Sequence, residues 1–450
     1  MDLSKDFMTD FSFDMIKNNK IDAAFYNKWD VKRGLRNADG SGVVVGLTRV
    51  GDVHGYETGG SGGKIPSDGK LFFRGYDVED IVENCISEDR FGYEEVCYLL
   101  LFGALPDRGQ LRSFEKQLGR QRELPSGFIR DMILTAPSHS IMNKLARSVL
   151  ALYSYDENPD DTSIDNVLRQ SIELISYFPA LIAAGYQAKR AAFDNESLHI
   201  HFPDPERGTA ETILGLIRAA NEFTDFEAKI LDICLILHAE HGGGNNSSFT
   251  THVVTSSGTD TYSAIAAAVG SLKGPKHGGA NIEVINMIKN IRENIADPTD
   301  ERLLRDYLVR ILKGEANDGS GLIYGLGHAV YTVSDPRATL LKGMAKKLAE
   351  QKGLLDDFAL YTFIEEEGPR LYAEYKGVEK LMPANVDLYS GFVYKALNIP
   401  DELATPIFAA ARIAGWCAHR IEELIDGGKI MRPAYICVQP HTKYLPIAER

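Results

Sequence analysis

The stretch GLGHAVYTVSDPR, residues 325–337, holds the residue types best suited to chemistry on a small anionic carbonyl compound. His328 follows Gly325-Leu326-Gly327, where glycine lets the backbone approach a ligand closely or adopt positive φ. Further on, Asp335-Pro336-Arg337 ends one run and opens another, with Pro336 suited to the first position of a helix and Arg337 beside it. A guanidinium grips a carboxylate by paired hydrogen bonds, and an imidazole polarises or protonates a carbonyl. The same residues also read as a Gly-rich turn with a solvated Arg.

Four more stretches carry polar groups at expected helix ends. In LHAEHGGGNNSSFTTH (237–252), His238 and His241 are spaced three apart at the end of a helix closed by Gly242, and His252 follows. Those three His could form a zinc set, but the H-E-x-x-H order is missing and Glu240 is read as pointing off that face. An anion-binding or core His fits better. In GPKHGGANIEVINMI (274–288), His277 precedes a helix whose Val284, Met287, Ile288 and Ile291 face inward. The positive end of that helix disfavours imidazolium, and a neutral imidazole is a good donor to a developing enolate. In PANVDLYSG (383–391), Asp387 sits among Val386, Leu388 and Tyr389, company that raises a carboxyl pKa and strengthens it as a base. Its plainer role is a turn or cap residue. Arg412 in FAAARIAGW and Arg432 in KIMRPAY complete the set. An Arg in Ala-rich surroundings is paired either with a ligand carboxylate or with a buried acid.

These groups need a frame that brings distant helix ends together. The 450-residue chain is long enough for two or three domains. Its 49 basic and 63 acidic residues give a formal charge of −14, which argues against general nucleic-acid or anionic-membrane binding. Five scattered cysteines, Cys85, Cys97, Cys234, Cys417 and Cys437, with no CxxC pair, point to a reducing compartment. The first residues have acids interspersed and no apolar h-region, and no run approaches the ~18 apolar residues of a membrane span, so a cytoplasmic protein is expected. From Asp77 onward helical periodicity dominates, with segments expected at 110–121, 126–136, 140–154, 163–190 (kinked at Pro179), 208–221, 225–239, 260–273, 279–294, 300–313, 336–351, 355–373, 390–397 and 404–425. Val43-Val44-Val45 is the one short β-type run, and YETGGSGGKIPSDGK after it reads as loop. A P-loop is rejected there, because Thr58 stands at the first Gly position and Ile65 at the Ser/Thr position. The fold class is all-α, with many helices.

Taken in order, GPKHGGANIEV, GLGHAVYTVSDPR, NVDLYSG and the Arg of FAAARIAG closely resemble the citrate synthase family, and FRGYDVEDI, EEVCYLLLFGALP and HAEHGGGNNSS extend the likeness over most of residues 70–435. Residues 1–40 lie outside it. The resemblance implies a helical homodimer with a large domain (41–278 and 389–450), an inserted small domain (279–388) and an N-terminal arm (1–40). It implies condensation of acetyl-CoA, a co-substrate, with oxaloacetate, with no bound cofactor and no metal. On matching positions Asp387 looks like the base, His277 like the donor to the enolate, and His328 like the group that protonates the oxaloacetate carbonyl. His241, Arg337 and Arg412 would hold oxaloacetate, Arg432 would reach the partner subunit's site, and the backbone at Leu326 and Gly327 would cradle the adenine of CoA. Departures from the family pattern are Thr332 where relatives often carry Arg or Lys near the CoA phosphates, Lys276 before His277, and Ala384 before Asn385-Val386-Asp387. The rivals are 2-methylcitrate synthase, which uses propionyl-CoA, a His-based metallohydrolase, and a noncatalytic helical scaffold. Closure of the small domain over oxaloacetate, hinged near Gly274-Pro275 and residues 383–391, would keep solvent protons from the enolate.

Overall fold

The computed structural model describes residues 5–59, 63–377 and 381–449. It divides into two units by internal contacts: one formed by the chain up to Gly46 together with the chain from Met431 on, the other spanning Leu47–Ile430. The first unit contains α1 (Lys5–Asn19), α2 (Ala23–Lys28) and a largely extended tail that ends in a single turn at Ile447–Glu449. The Val43-Val44-Val45 run expected as a strand is not one: Val44 is 87% exposed, and Val43 donates its N–H to the Leu35 carbonyl in a small closed loop. Three β-branched residues supply propensity, but a strand also needs a ladder partner.

Paired strands stand just downstream, where the sequence reads as loop. β1 (Gly51–Thr58), β2 (Lys64–Phe73) and β3 (Tyr76–Asp77) form an antiparallel sheet in the order β1-β2-β3. Val53 pairs with Leu71 and Gly51 with Phe73, and the inward positions Gly69, Leu71 and Phe73 alternate with more open ones. The Gly, Ser, Pro and Asp content that reads as loop disguises this period-two pattern. The register shifts between His54 and Tyr56, at Gly55.

The rest of the second unit is helical, as the 3.6-residue periodicity requires. α3 (Val78–Ser87), α4 (Tyr93–Phe102), α5 (Arg108–Arg120), α6 (Ile141–Leu152) and the long α7 (Ile164–Phe193) come first. α8 (Thr209–Ile217), α9 (Asp225–His238), α10 (Asn246–Thr255) and α11 (Thr261–Leu272) follow. Then come α12 (Ala280–Asn294), α13 (Glu301–Leu312), α14 (Pro336–Lys352), α15 (Leu355–Lys376), α16 (Val386–Ala396) and α17 (Ala404–Ile425). α7 continues through Pro179, and residues 129–134 form a π-helical turn within the expected 126–136 segment. α10, which begins in the NNSS run, was not expected; Asn245 caps it by accepting the Ser247 N–H. α16 starts four residues ahead of expectation, because Asn385 is its N-cap and accepts the Asp387 N–H.

α17 is the axis of the unit. Every residue from Ala404 to Ile421 is buried, and its small residues let α7, α10, α4, α9 and α11 pack around it. The Tyr93 hydroxyl donates to the Ala410 carbonyl at 2.8 Å, and buried Asp232 accepts the Gly92 N–H at 2.7 Å, which ties the start of α4 to both α17 and α9. Further along, α14 and α12 pack on α16, and α13 on α15. Among the described residues, no helix is long and apolar enough to cross a membrane.

Candidate active site

Five segments of the Leu47–Ile430 unit carry expected residues: His238 and His241, His277, residues 325–337, Asp387 and Arg412. The loop at 325–327 is stitched to residues 383–385: Gly327 N–H donates to the Pro383 carbonyl at 2.7 Å, Asn385 N–H to the Gly325 carbonyl at 2.9 Å, and the Asn385 side chain to the Gly327 carbonyl at 3.0 Å. Gly325 and Gly327 both have positive φ, and a Cβ at Gly325 would lie 2.9 Å from Leu388, so the two glycines are required there. The same stitching sets His328 beside the first turn of α16, where Asp387 stands. Leu326 faces Ala384 as a bridge pair whose flanking residues make the hydrogen bonds, so its own N–H and C=O point away from that partner.

The β1–β2 hairpin backs the next stretch of this loop. A Cβ at Gly55 would lie 2.3 Å from the Val330 carbonyl oxygen, and one at Gly69 would lie 2.3 Å from that of Ser334. Gly69 N–H donates to the Ser334 carbonyl, and the Thr332 hydroxyl donates to the Gly55 carbonyl. Thr332 therefore braces the loop rather than offering a charge. Asp335 caps α14, whose first residues are Pro336 and Arg337, as the sequence suggests.

His328 Nδ1 accepts the N–H groups of Val330 and Tyr331, each at 3.1 Å, so a neutral ring carries its proton on Nε2. The ring stacks on Tyr331 at 4.5 Å and meets His241 edge-on at 5.1 Å. Arg337 is buried and gripped by Asp335, with Nε to Oδ1 at 3.0 Å and Nη2 to Oδ2 at 2.7 Å; Nη2 also lies 3.5 Å from His328 Nε2.

Arg412 is fully buried on α17, and its Nε donates to the His238 carbonyl at 2.6 Å. Its Nη1 and Nη2 have no hydrogen-bond partner, nor do His241 Nε2, the two ring nitrogens of His238 or the Tyr331 hydroxyl. Buried polar atoms are seldom left so, and a group of donors in this state is the mould of an anionic ligand. Burial lowers the Arg412 pKa to about 10 despite the nearby Glu240 carboxylate, and burial together with Arg337 and neighbouring cations holds His241 neutral.

Asp387 keeps part of its side-chain surface open while lying deep in the fold. Burial pushes its carboxyl up to about 6, with Asp335 adding to the effect and Arg337 and Arg412 opposing it. His277, in the turn before α12, is lowered to about 4 by burial and then by Arg412, so it is neutral at physiological pH. Its Nε2 is 2.9 Å from the Ser247 hydroxyl, which receives the Trp416 indole N–H at 3.0 Å. The single Ser247 hydroxyl proton has two acceptors in reach, Asn245 Oδ1 and His277 Nε2, each at 2.9 Å; when it is turned to Nε2, the ring carries its N–H on Nδ1. Ser247, Trp416, Tyr331 and Asn385 were not anticipated from sequence, and only Asn385 left a signal, as a capping residue just before a helix.

One expectation is corrected. α9 ends at His238, so His241 is not on that helix but in the following turn, where Gly242 has positive φ. His238, His241 and His252 do not form a metal set: His252 Nδ1 is 2.8 Å from Glu423, and its Nε2 faces His419. Among the described residues, the one His/Cys/carboxylate group close enough to share a cation is His252, His419 and Glu422. Glu240 is buried and bonded to His419. Lys276 is exposed beside His277, and Arg432 is exposed in the unit formed by the chain ends.

The model for "Citrate synthase, C-terminal domain" matches residues 39–434. The chain is 33% identical to the citrate synthase of Synechocystis sp., over 91% of this chain and 93% of that one. It is 32% identical to the citrate synthase of Haloferax volcanii, over 94% and 99%, and 31% identical to 2-methylcitrate synthase 1 of Corynebacterium glutamicum, over 93% and 98%. Its backbone is similar to that of citrate synthase from Thermoplasma acidophilum in ternary complex with carboxymethyl coenzyme A and oxaloacetate: TM-score 0.75, 28% identity, 93% of this chain and 99% of that one. The Pyrobaculum aerophilum citrate synthase gives a TM-score of 0.73 at 27% identity, over 91% of this chain and 94% of that one. These likenesses put the chain among the acyl-CoA-dependent condensing transferases. It belongs to the citrate synthase family.

Proposed function

We propose that this cleft condenses acetyl-CoA with oxaloacetate and water to give citrate and CoA. The observation that carries the reading is the buried Arg412 guanidinium with two unpartnered nitrogens, in a neighbourhood shared with His241, Arg337 and Asp387. Arg412, His241 and Arg337 hold the two carboxylates of oxaloacetate, with Arg337 oriented by Asp335. Asp387 removes a proton from the acetyl methyl group while His277, through Nδ1–H, donates to the thioester oxygen, so that charge developing on the enolate is met by a neutral donor. The enolate carbon attacks the keto carbon of oxaloacetate, and His328 gives its Nε2 proton to the new alkoxide. Water then cleaves the citryl thioester to citrate and CoA. The outward N–H and C=O of Leu326, with the Gly327 turn, receive the adenine of CoA.

The relatives of both kinds leave the acyl chain as the open choice. One methylene is worth about 1–3 kcal/mol in a pocket. Thiol release measured with both thioesters is expected to give the higher kcat/KM with acetyl-CoA, and a preference for propionyl-CoA would make the chain a 2-methylcitrate synthase. Release from neither would remove the condensing reading.

In the assembly we propose, residues 41–278 with 389–450 make the large domain and 279–388 the small one, the 1–40 arm lies outside both, and a homodimer lets Arg432 reach the partner's site. Small-angle scattering is expected to give the mass of a dimer and a radius of gyration that falls when oxaloacetate is added. A monomer, or equal radii in the two states, would count against dimer or closure respectively.

A further inference from the structure

Arg412, Gly415 and His419 are spaced three and four residues apart on α17 and so share one face of it. Glu240, from the turn after α9, lies along that face. Its Oε1 accepts the Gly242 N–H and lies 2.9 Å from His419 Nε2. Its Oε2 is buried and unpartnered, and sits so close over Gly415 that a Cβ there would be 2.3 Å away. One turn back along the helix, Arg412 Nη1 and Nη2 are also unpartnered. A buried carboxylate and a buried guanidinium that feel each other's charge should close into an ion pair, because each is costly alone. They stay apart.

What holds the carboxylate is a line of hydrogen bonds running the other way. His419 Nδ1 is 3.1 Å from His252 Nε2, and His252 Nδ1 is 2.8 Å from Glu423 Oε2. With a carboxylate at each end, every group in the line is satisfied when His419 is protonated on both nitrogens and His252 on Nδ1 alone. Burial opposes the charge on His419, but Glu240 and Glu422 outweigh it and raise its pKa to about 9. Glu422 is fixed in turn by the Thr48 hydroxyl and the Arg49 N–H, each at 2.6 Å, with Arg74 at 4.0 Å. The Nδ1 proton also occupies the lone pair a cation would need.

We infer that His419 is a positioning residue for the keto-acid site: it holds Glu240 away from Arg412 and so keeps that guanidinium open for a substrate carboxylate. Without the charge on His419, Glu240 swings over Gly415 onto Arg412, and oxaloacetate must displace it. This rests on the reading of Arg412 as a carboxylate-binding group.

The test is calorimetric binding of oxaloacetate and steady-state kinetics on the full chain. His419→Gln keeps a polar side chain of similar size, and is expected to raise Kd and KM for oxaloacetate about tenfold or more, as for loss of a charged hydrogen bond, while kcat at saturation stays within about twofold. The double variant Glu240→Gln/His419→Gln removes the competitor as well, and should return Kd close to that of the parent. A merely structural role predicts no such rescue. Unchanged affinity in the single variant, or a double variant as weak as the single, overturns the inference. If the single variant does not fold, the double, in which the buried carboxylate is gone along with the imidazole that held it, decides alone: a Kd about tenfold or more above the parent's overturns the inference, and a Kd near the parent's supports it. Normal binding in Arg412→Leu would instead sink the reading of Arg412 itself, which separates the two failures.

Discussion

Asp387→Asn is expected to lower kcat by about 10²- to 10⁴-fold, the usual range for loss of a general base. The argument is geometric before it is electrostatic. Asn385 caps α16 and fixes Asp387 on its first turn, and the stitched 325–327 and 383–385 segments bring that turn beside His328. Burial then raises the carboxyl to about 6, so it is a stronger base than an exposed Asp yet still ionised at neutral pH. The sign follows: the base works only when deprotonated, so kcat/KM of the parent should rise as pH increases through about 6, and the variant should lack that limb. An amide fills the same space without a buried charge, so the melting temperature should not fall. Turnover close to the parent's would remove Asp387 from the mechanism.

Arg412→Leu should raise KM for oxaloacetate by at least about 30-fold, because removing one partner of a desolvated charge pair costs about 2–5 kcal/mol. The free protein should not suffer in proportion. Only Nε of Arg412 has a partner, and the substitution removes a buried cation whose other nitrogens have none. Binding and stability therefore move independently, which steady-state kinetics and a thermal melt can follow side by side. An unchanged KM for oxaloacetate would show that this Arg serves the fold.

The parts of the site that could be read from sequence are those written in short range. The two glycines before His328 and the Asp335-Pro336-Arg337 cap are local signals of backbone geometry, and both stand where the sequence put them. The helices follow their periodicity and depart from it at their ends: the Asn385 cap starts α16 ahead of its apolar pattern, and the Gly-rich run before α10 hides that helix's start. The hairpin is not legible because turn-forming residues mask the alternation of Leu71 and Phe73. What could not be read was any partnership across the chain. Nothing local says that the His241 ring meets that of His328, that Ser247 faces His277, or that Glu240 bonds His419, since each pairing is made by the packing of helices around α17.

The hairpin and the 330–334 segment meet main chain to main chain, and this decides where evolutionary drift can enter. Val333 turns its side chain to solvent, so that one position of the seam can exchange its residue without disturbing the interval between His328 and Arg337, while Thr332 and Ser334 beside it are held by their hydroxyl bonds to the hairpin. The facing side has no such latitude: a methyl group at position 55 or 69 would have to occupy the place of a carbonyl oxygen. Variation along this border is therefore one-sided, and the catalytic interval is kept by two residues that never touch the substrate.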